Sequence, residues 1–291
     1  MHTDALAERI HNLTGQRVER IRALSGGCVG DVYRVTLAGG ERALGAKVDD
    51  GPPCYAGGLA REGRMLRYLA HHTDVPVPEV LSADDTVLLM TYIEADGRLS
   101  GDAERHAAQI IAALHAITTD AGFGFDEDTV IGGLPQPNPW SPSWRSFFAE
   151  HRLIYMSREG ERVGRLPSAL LARVERFAGA LERWIDEPAQ PSLIHGDLWG
   201  GNILAAHGRI TGLIDPAIYF ADPEIELAFS TLFGTFGDAF FGPYNELRPI
   251  RAGFFEERRD LYNLYPLLVH VRLFGGSYVA SVERTLARFG Y

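Results

Sequence analysis

Twelve residues, LIHGDLWGGNIL at positions 193–204, constrain this chain more than any other stretch of its 291. Apolar pairs, Leu193-Ile194 and Ile203-Leu204, bracket a polar centre, the pattern of short strands presenting loop side chains. GLIDPA at 212–217 repeats it, with Leu213-Ile214 ahead of Asp215. Any one Asp, Asn or Gly here reads equally well as a turn residue. The ordered set does not reduce to turn chemistry, because Asp197 and Asn202 stand at the H-x-D-x-x-x-x-N interval of a phosphotransfer loop. Phosphoryl transfer asks a protein for positioning and charge neutralisation: a carboxylate beside the acceptor hydroxyl and oxygen ligands for magnesium. Asp197 is the candidate catalytic base, and Asn202 and Asp215 are the candidate metal ligands.

The upstream sequence supplies the matching phosphate-binding parts. SGGCVGDVYRV (25–35) places Gly26, Gly27 and Gly30 between two β-like stretches, where glycine lets backbone amides approach phosphates. Alone this is also a tight hairpin. Lys47 on the next strand and Glu62 in the following helix complete an order in which a strand lysine meets the phosphates and a helix glutamate steadies it. Lys47 is informative for a further reason: the 28 basic residues are 27 arginines and this one lysine. A planar guanidinium does not replace a compact ammonium squeezed between phosphate and carboxylate.

Around these motifs the chain divides in two. An amphipathic N-terminal helix carries Leu6, Ile10 and Leu13 on one face and stops at Gly15. Strands are predicted at 18–24, 29–37, 42–48, 79–82 and 87–93, with a hairpin at Gly39-Gly40 and a helix at 58–71. Residues 94–101, EADGRLSG, read as a hinge between an N-lobe (1–93) and a C-lobe (102–291). The C-lobe reads mostly helical, at 102–118, 144–158, 167–187, 223–236 and from 254 onward. Residues 121–143, with four prolines and no periodicity, read as a long structureless segment, either functional or a surface insertion.

Composition excludes several classes. A net charge of −10 disfavours a nucleic-acid partner. Residues 1–93 hold 12 acidic and 10 basic side chains and the remainder 26 and 18, so the acidity lies in the C-terminal part, which suits a cationic substrate. Two cysteines, Cys28 and Cys54, make neither a disulfide framework nor a zinc site. No apolar run reaches membrane-spanning length, and the N-terminus lacks signal-peptide character, which reads as cytoplasmic.

With these motifs in place, the chain resembles the fructosamine kinase (ketosamine-3-kinase) family, relatives of the aminoglycoside phosphotransferases. HGDL with a later IDxA is shared by many small-molecule kinases. The tryptophan of HGDLW, the PQPN of IGGLPQPNPW (131–140), the cysteine of the glycine loop and LFGGSY (273–278) are more particular. The resemblance implies an α+β, two-lobed protein-kinase-like fold, with a five-stranded antiparallel sheet and a helix in the small lobe. It implies ATP and Mg2+ as cofactors, Lys47 on the phosphates paired with Glu62, and Met90, Tyr92 and Ile93 at the adenine edge. The implied substrate is a small-molecule ketosamine or glycated amine or protein, phosphorylated on O3, for a monomer or homodimer. Trp199 is a candidate sugar platform, Cys28 a small residue fitting the glycine loop, and His195 a brace of the loop rather than a base. The sequence departs from the family pattern at Gly45-Ala46, where branched residues are usual, at Ala221, where glycine is common, and at Glu226, where aspartate is usual. An aminoglycoside or other amino-alcohol phosphotransferase and a nucleotide-binding pseudokinase are the alternatives. Absence of Asp-Phe-Gly and Ala-Pro-Glu disfavours a protein kinase.

Overall fold

The computed structural model describes residues 3–24, 31–40, 42–49, 58–97 and 99–291. Gly26, Gly27, Cys28 and Gly30 lie outside the described residues. The N-terminal part runs α1 (Thr3–Thr14), β1 (Val18–Leu24), β2 (Asp31–Leu37), β3 (Leu44–Val48), α2 (Gly58–His72), β4 (Val80–Ala83) and β5 (Val87–Thr91). The five strands form one sheet in the order β1-β2-β3-β5-β4, every neighbouring pair antiparallel.

Strand alternation decides what each face carries. Leu44, Ala46, Val48, Val87 and Leu89 point to one side, where Leu6 and Ile10 of α1 cover them. Leu88 and Met90 point to the other, against Leu59 and Leu66 of α2. Lys47 pairs directly with Leu88, so it emerges on the face that α2 covers. Gly45-Ala46 do not interrupt β3, which is paired along its length with both β2 and β5.

The C-terminal part begins with α3 (Gly101–His115), whose N-cap Ser100 accepts a hydrogen bond from the Ala103 amide. A short hairpin follows, β6 (Thr129–Ile131) and β7 (Leu134–Gln136), then α4 (Trp144–Phe148), α5 (Tyr155–Arg162) and α6 (Ser168–Ala178). Next come β8 (Ser192–Ile194), β9 (Ile203–Ala206), β10 (Arg209–Leu213), β11 (Tyr219–Ala221) and α7 (Glu224–Leu232). The chain ends in α8 (Asp238–Leu247), α9 (Arg259–Tyr262), α10 (Leu264–Phe274) and α11 (Ser277–Arg288). A small-lobe sheet with a larger, mostly helical partner is the two-lobed protein-kinase-like architecture.

Several sequence expectations are corrected. Residues 121–143 are not structureless: they hold the β6–β7 hairpin, with Gln136 and Asn138 fully buried in its hydrogen bonding. The predicted helix 144–158 is broken by a π-helical segment, Ala149–Ile154, then continues to Arg162. That wider turn carries Arg152, wholly buried, whose guanidinium donates to the Pro137 carbonyl and to Asn138 Oδ1 and lies over the Tyr219 ring. The helix predicted at 167–187 ends at Ala178, because Gly179 caps it, and the one at 223–236 ends at Leu232, ahead of a left-handed Gly234. Helix α8 is absent from the sequence reading because Gly237, Gly242 and Pro243 resemble a loop; Phe240 and Tyr244 bury its inner face in the core that α3 shares.

Gly63, next to Glu62, sets how close α2 lies to the sheet. A Cβ there would stand 2.4 Å from the Ala83 Cβ of β4. Gly63→Ala is expected to cost about 1–3 kcal/mol by overpacking and to weaken nucleotide binding by shifting Glu62. Urea unfolding and nucleotide titration check this; an unchanged midpoint would show that α2 has slack against β4.

Candidate active site

The sheet delivers Lys47 to a site that is 4% exposed. Its ammonium donates to Glu62 Oε1 at 2.7 Å and to Asp215 Oδ1. Burial alone lowers a lysine pKa, but the charges of Glu62 and then Asp215 outweigh it and raise it, so Lys47 stays cationic. The same burial pushes the Glu62 carboxyl up, against the pull of Lys47. This contact ties the small-lobe sheet and α2 to the loop after β10.

Asp215 stands two residues past the end of β10, with its backbone in the left-handed region at φ 55°. A non-glycine residue there is a strained conformation held by its surroundings. The Ile214 amide donates to the Asn202 carbonyl at 3.0 Å, which keeps the two oxygen-bearing side chains adjacent. The Asn202 amide donates to the Asp197 carbonyl at 2.9 Å and to Asp197 Oδ2 at 2.8 Å. Burial pushes the Asp197 pKa up to about 7; the Asn202 bond and Lys47 pull it down, while Asp215 and Glu226 add to the rise. A carboxylate poised near neutrality suits a general base.

The catalytic loop is held from beneath by Glu226, fully buried in α7. Its Oε1 accepts from the Gly196 amide at 2.6 Å and its Oε2 from the His195 amide at 3.2 Å. His115 Nε2 lies 2.8 Å from the same Oε2, and His115 Nδ1 is bonded to the Tyr244 hydroxyl. The departure at Glu226 thus anchors the loop, its extra methylene reaching two backbone amides. His195 itself is a brace, wholly buried: the Asp197 amide donates weakly to its Nδ1 (3.4 Å), and its carbonyl accepts from the Ala217 amide at 2.7 Å. Gly196 has φ 85°, and a Cβ there would lie 2.1 Å from the Ala217 carbonyl oxygen. Only glycine allows the catalytic and metal loops to approach this closely.

Lys47, Glu62, Asp197, Asn202 and Asp215 all line one cleft of about 610 Å³. Met90, Tyr92 and Ile93 line it too; β5 ends before the last two, but the Tyr92 amide still bonds the Ala43 carbonyl at 3.0 Å. Trp199 lines the cleft beside Asp197, half-buried, its ring lying across Gly201, where a Cβ would meet it at 2.3 Å. The described residues hold no cluster of three or more His, Cys, Asp or Glu side chains that would take a metal unaided. One amide oxygen and one carboxylate fit a hard cation that is also held by phosphates, as magnesium is.

Sequence reasoning missed the far wall. Gly132 and Gly133 at the tip of the β6–β7 hairpin, Phe233 after α7, His270 and Phe274 of α10 and Tyr278 of α11 all face the same cleft. A clue was available: Pro266, Val269, His270, Leu273 and Phe274 recur at three- and four-residue spacing, a single helical face. Nothing in that spacing distinguishes a cleft wall from a core.

Glu226→Gln keeps the shape but sets an NH2 group against one of the N–H donors. We expect a loss of about 1–3 kcal/mol and a lower kcat. Burial raises the Glu226 pKa, but the His115 bond, the His115 and His195 charges and the Gly196 amide bring it below the ordinary 4.5. For a depressed acid, the stabilisation is complete above the unfolded-state pKa and fades as pH falls through the folded one. The wild-type advantage in denaturant titrations should therefore be full above pH 4.5 and shrink below it; an advantage independent of pH would remove the charge from the explanation.

Comparison with known proteins gives the family. The family model described as fructosamine kinase matches residues 2–289. A Synechocystis protein named for ketoamine kinase activity is 35% identical, covering 97% of this chain and 94% of its own. The chloroplastic protein-ribulosamine 3-kinase of Arabidopsis thaliana is 31% identical, covering 91% and 81%. The crystal structure of a Thermobifida fusca protein named for fructosamine-3-kinase superposes with a TM-score of 0.84 at 32% identity, covering 98% of this chain and 99% of that one. Aminoglycoside phosphotransferase APH(4)-Ia, at 19% identity and a TM-score of 0.68, shares the fold. This chain belongs to the fructosamine kinase family and is a phosphotransferase acting on an alcohol group.

Proposed function

We propose that the protein transfers the γ-phosphoryl group of ATP, with magnesium, to O3 of a ketosamine, a reaction suited to deglycation-type repair. The observation that carries this reading is the convergence of Lys47, Glu62, Asp197, Asn202 and Asp215 in one cleft. Lys47, fixed by Glu62, is placed to meet the phosphates of a nucleotide whose base lies along Met90–Ile93. Asn202 and Asp215 would hold magnesium, which supplies charge neutralisation on the transferring group. Asp197, oriented by the Asn202 amide, receives the proton of the attacking hydroxyl. Trp199, two residues on, offers a ring face to the sugar. An inert nucleotide-binding module is disfavoured because all these groups are retained together. The likeness to aminoglycoside phosphotransferases is one of fold, and fold does not decide substrate.

The test is direct. Phosphate on O3 sits next to the C2 carbonyl, so enamine formation across C1 and C2 expels it, releasing phosphate and then the free amine. Incubating the protein with ATP, magnesium and a fructose-modified amine should yield ADP at once and phosphate and free amine over hours. A stable phosphosugar would mean another hydroxyl is the acceptor; turnover confined to aminoglycosides would end the ketosamine reading. Asp197→Asn should lower kcat by about 10²–10⁴ with nucleotide affinity nearly unchanged. Retention of more than half the activity would remove Asp197 as the base. Lys47→Arg keeps the charge but does not fit between Glu62 and Asp215; kcat should collapse, and unchanged kinetics would show Lys47 to be dispensable.

A further inference from the structure

The cleft is divided by charge. Its ionic lining residues, Lys47, Asp49, Glu62, Asp197 and Asp215, belong to the nucleotide side and the point of transfer. Beyond Asp197 the wall continues as rings in contact. Trp199 lies 6.0 Å from Phe233, Phe233 lies 5.1 Å from His270, and His270 lies 4.8 Å from Tyr278 and 5.7 Å from Phe274. Among the described residues, this part of the lining holds no Asp, Glu, Lys or Arg. His270 donates its Nδ1 hydrogen to the Pro266 carbonyl at 2.7 Å, and burial holds its pKa below the ordinary value against the pull of that bond. The wall also opens outward. Phe233 is 43% exposed and Phe274 is 55% exposed, although both line the cleft.

We propose that this aromatic wall receives the carrier of the substrate amine, and that the protein selects ketosamines on apolar or aromatic carriers over carriers bearing a carboxylate or additional ammonium groups. The inference rests on the function proposed above. Exposed apolar surface continuous with a reaction cleft marks a binding surface rather than a solvated one. Ring faces carry negative electrostatic potential, so one ammonium, the ketosamine nitrogen, is attracted to them. Each further ammonium would have to leave water for ring faces alone, because the described lining of the wall offers it no carboxylate. A carboxylate fares worse: it meets the negative ring faces and the acidic groups at the transfer point, and the described lining of this wall holds no arginine or lysine to receive it. An apolar carrier meets no such opposition and covers Phe233 and Phe274.

The experiment compares three ketosamines of one sugar, made from benzylamine, from glycine and from spermidine, by kcat/KM measured through ADP formation. The benzylamine compound should lead each of the others by about tenfold or more, mostly through KM. Phe274→Ala should narrow that lead by about fivefold. Phe274→Arg should raise turnover of the glycine compound, a gain that misfolding does not produce. Equal kcat/KM for all three, a preference for a charged carrier, or a lead unchanged in both variants would overturn the inference while leaving the ketosamine reaction standing. Turnover of none of the three sinks the ketosamine reading and this inference with it.

Discussion

An ammonium sealed between two carboxylates is costly to assemble, because each ion gives up hydration that only close, well-aligned partners return. Lys47, Glu62 and Asp215 come from a strand, a helix and a loop separated by up to 168 positions in the chain; the Lys47 and Glu62 side chains are almost withdrawn from solvent, while Asp215 stays partly open to the cleft. Removing Lys47 leaves the Glu62 and Asp215 carboxylates without their shared cation. The triad therefore acts as a registration point between the small-lobe sheet and the loops of the helical lobe. The strand alternation that aims Lys47 at α2, and the close approach of α2 at Gly63, are the local conditions for it.

A second buried carboxylate does for the catalytic loop what Asp215 does for the lysine. Glu226 binds backbone amides rather than a cation, fixing the loop at His195 and Gly196, while the positive φ of Gly196 lets the Asp215 loop settle against it. Both loops are short links between strands, so they borrow rigidity from α7 and α3 through Glu226 and His115. Backbone contacts beside Asp197, Asn202 and Asp215 hold the two loops, while one oxygen of Asp197 accepts from the Asn202 side chain and one of Asp215 from Lys47.

How much of this was legible in the sequence follows from how each residue acts. The five strands of the sheet were readable because alternation and turn residues are local; their order in the sheet, set by non-local pairing, was not read. Lys47, Asp197, Asn202 and Asp215 could be picked out because polar groups at fixed intervals beside apolar strands are conspicuous, and because one lysine among 27 arginines is unusual. The fully buried Arg152 was hidden, and Glu226 stood out only as a departure from the family pattern, since a charged residue on a helix gives no sign of being swallowed by the core. The hairpin at 129–136 was obscured by its prolines, and α8 by Pro243. Each is sustained by tertiary packing, which overrides local preference.

The division of the cleft also explains how one fold serves different acceptors. Phosphoryl transfer needs concentrated charge, and that need is met entirely on the nucleotide side and at the catalytic loop. The far wall is built from other parts: the tip of the β6–β7 hairpin, the residue after α7, and the junction of α10 with α11 at Gly275-Gly276. These segments connect to the charged centre at several points: the Gln136 amide donates to the Ala217 carbonyl at 3.0 Å while its oxygen accepts from Tyr265, and the Phe233 ring lies against Trp199. A protein at 19% identity shares this architecture, so the architecture by itself does not decide the acceptor, and the side chains lining the cleft are where a difference in substrate has to be sought.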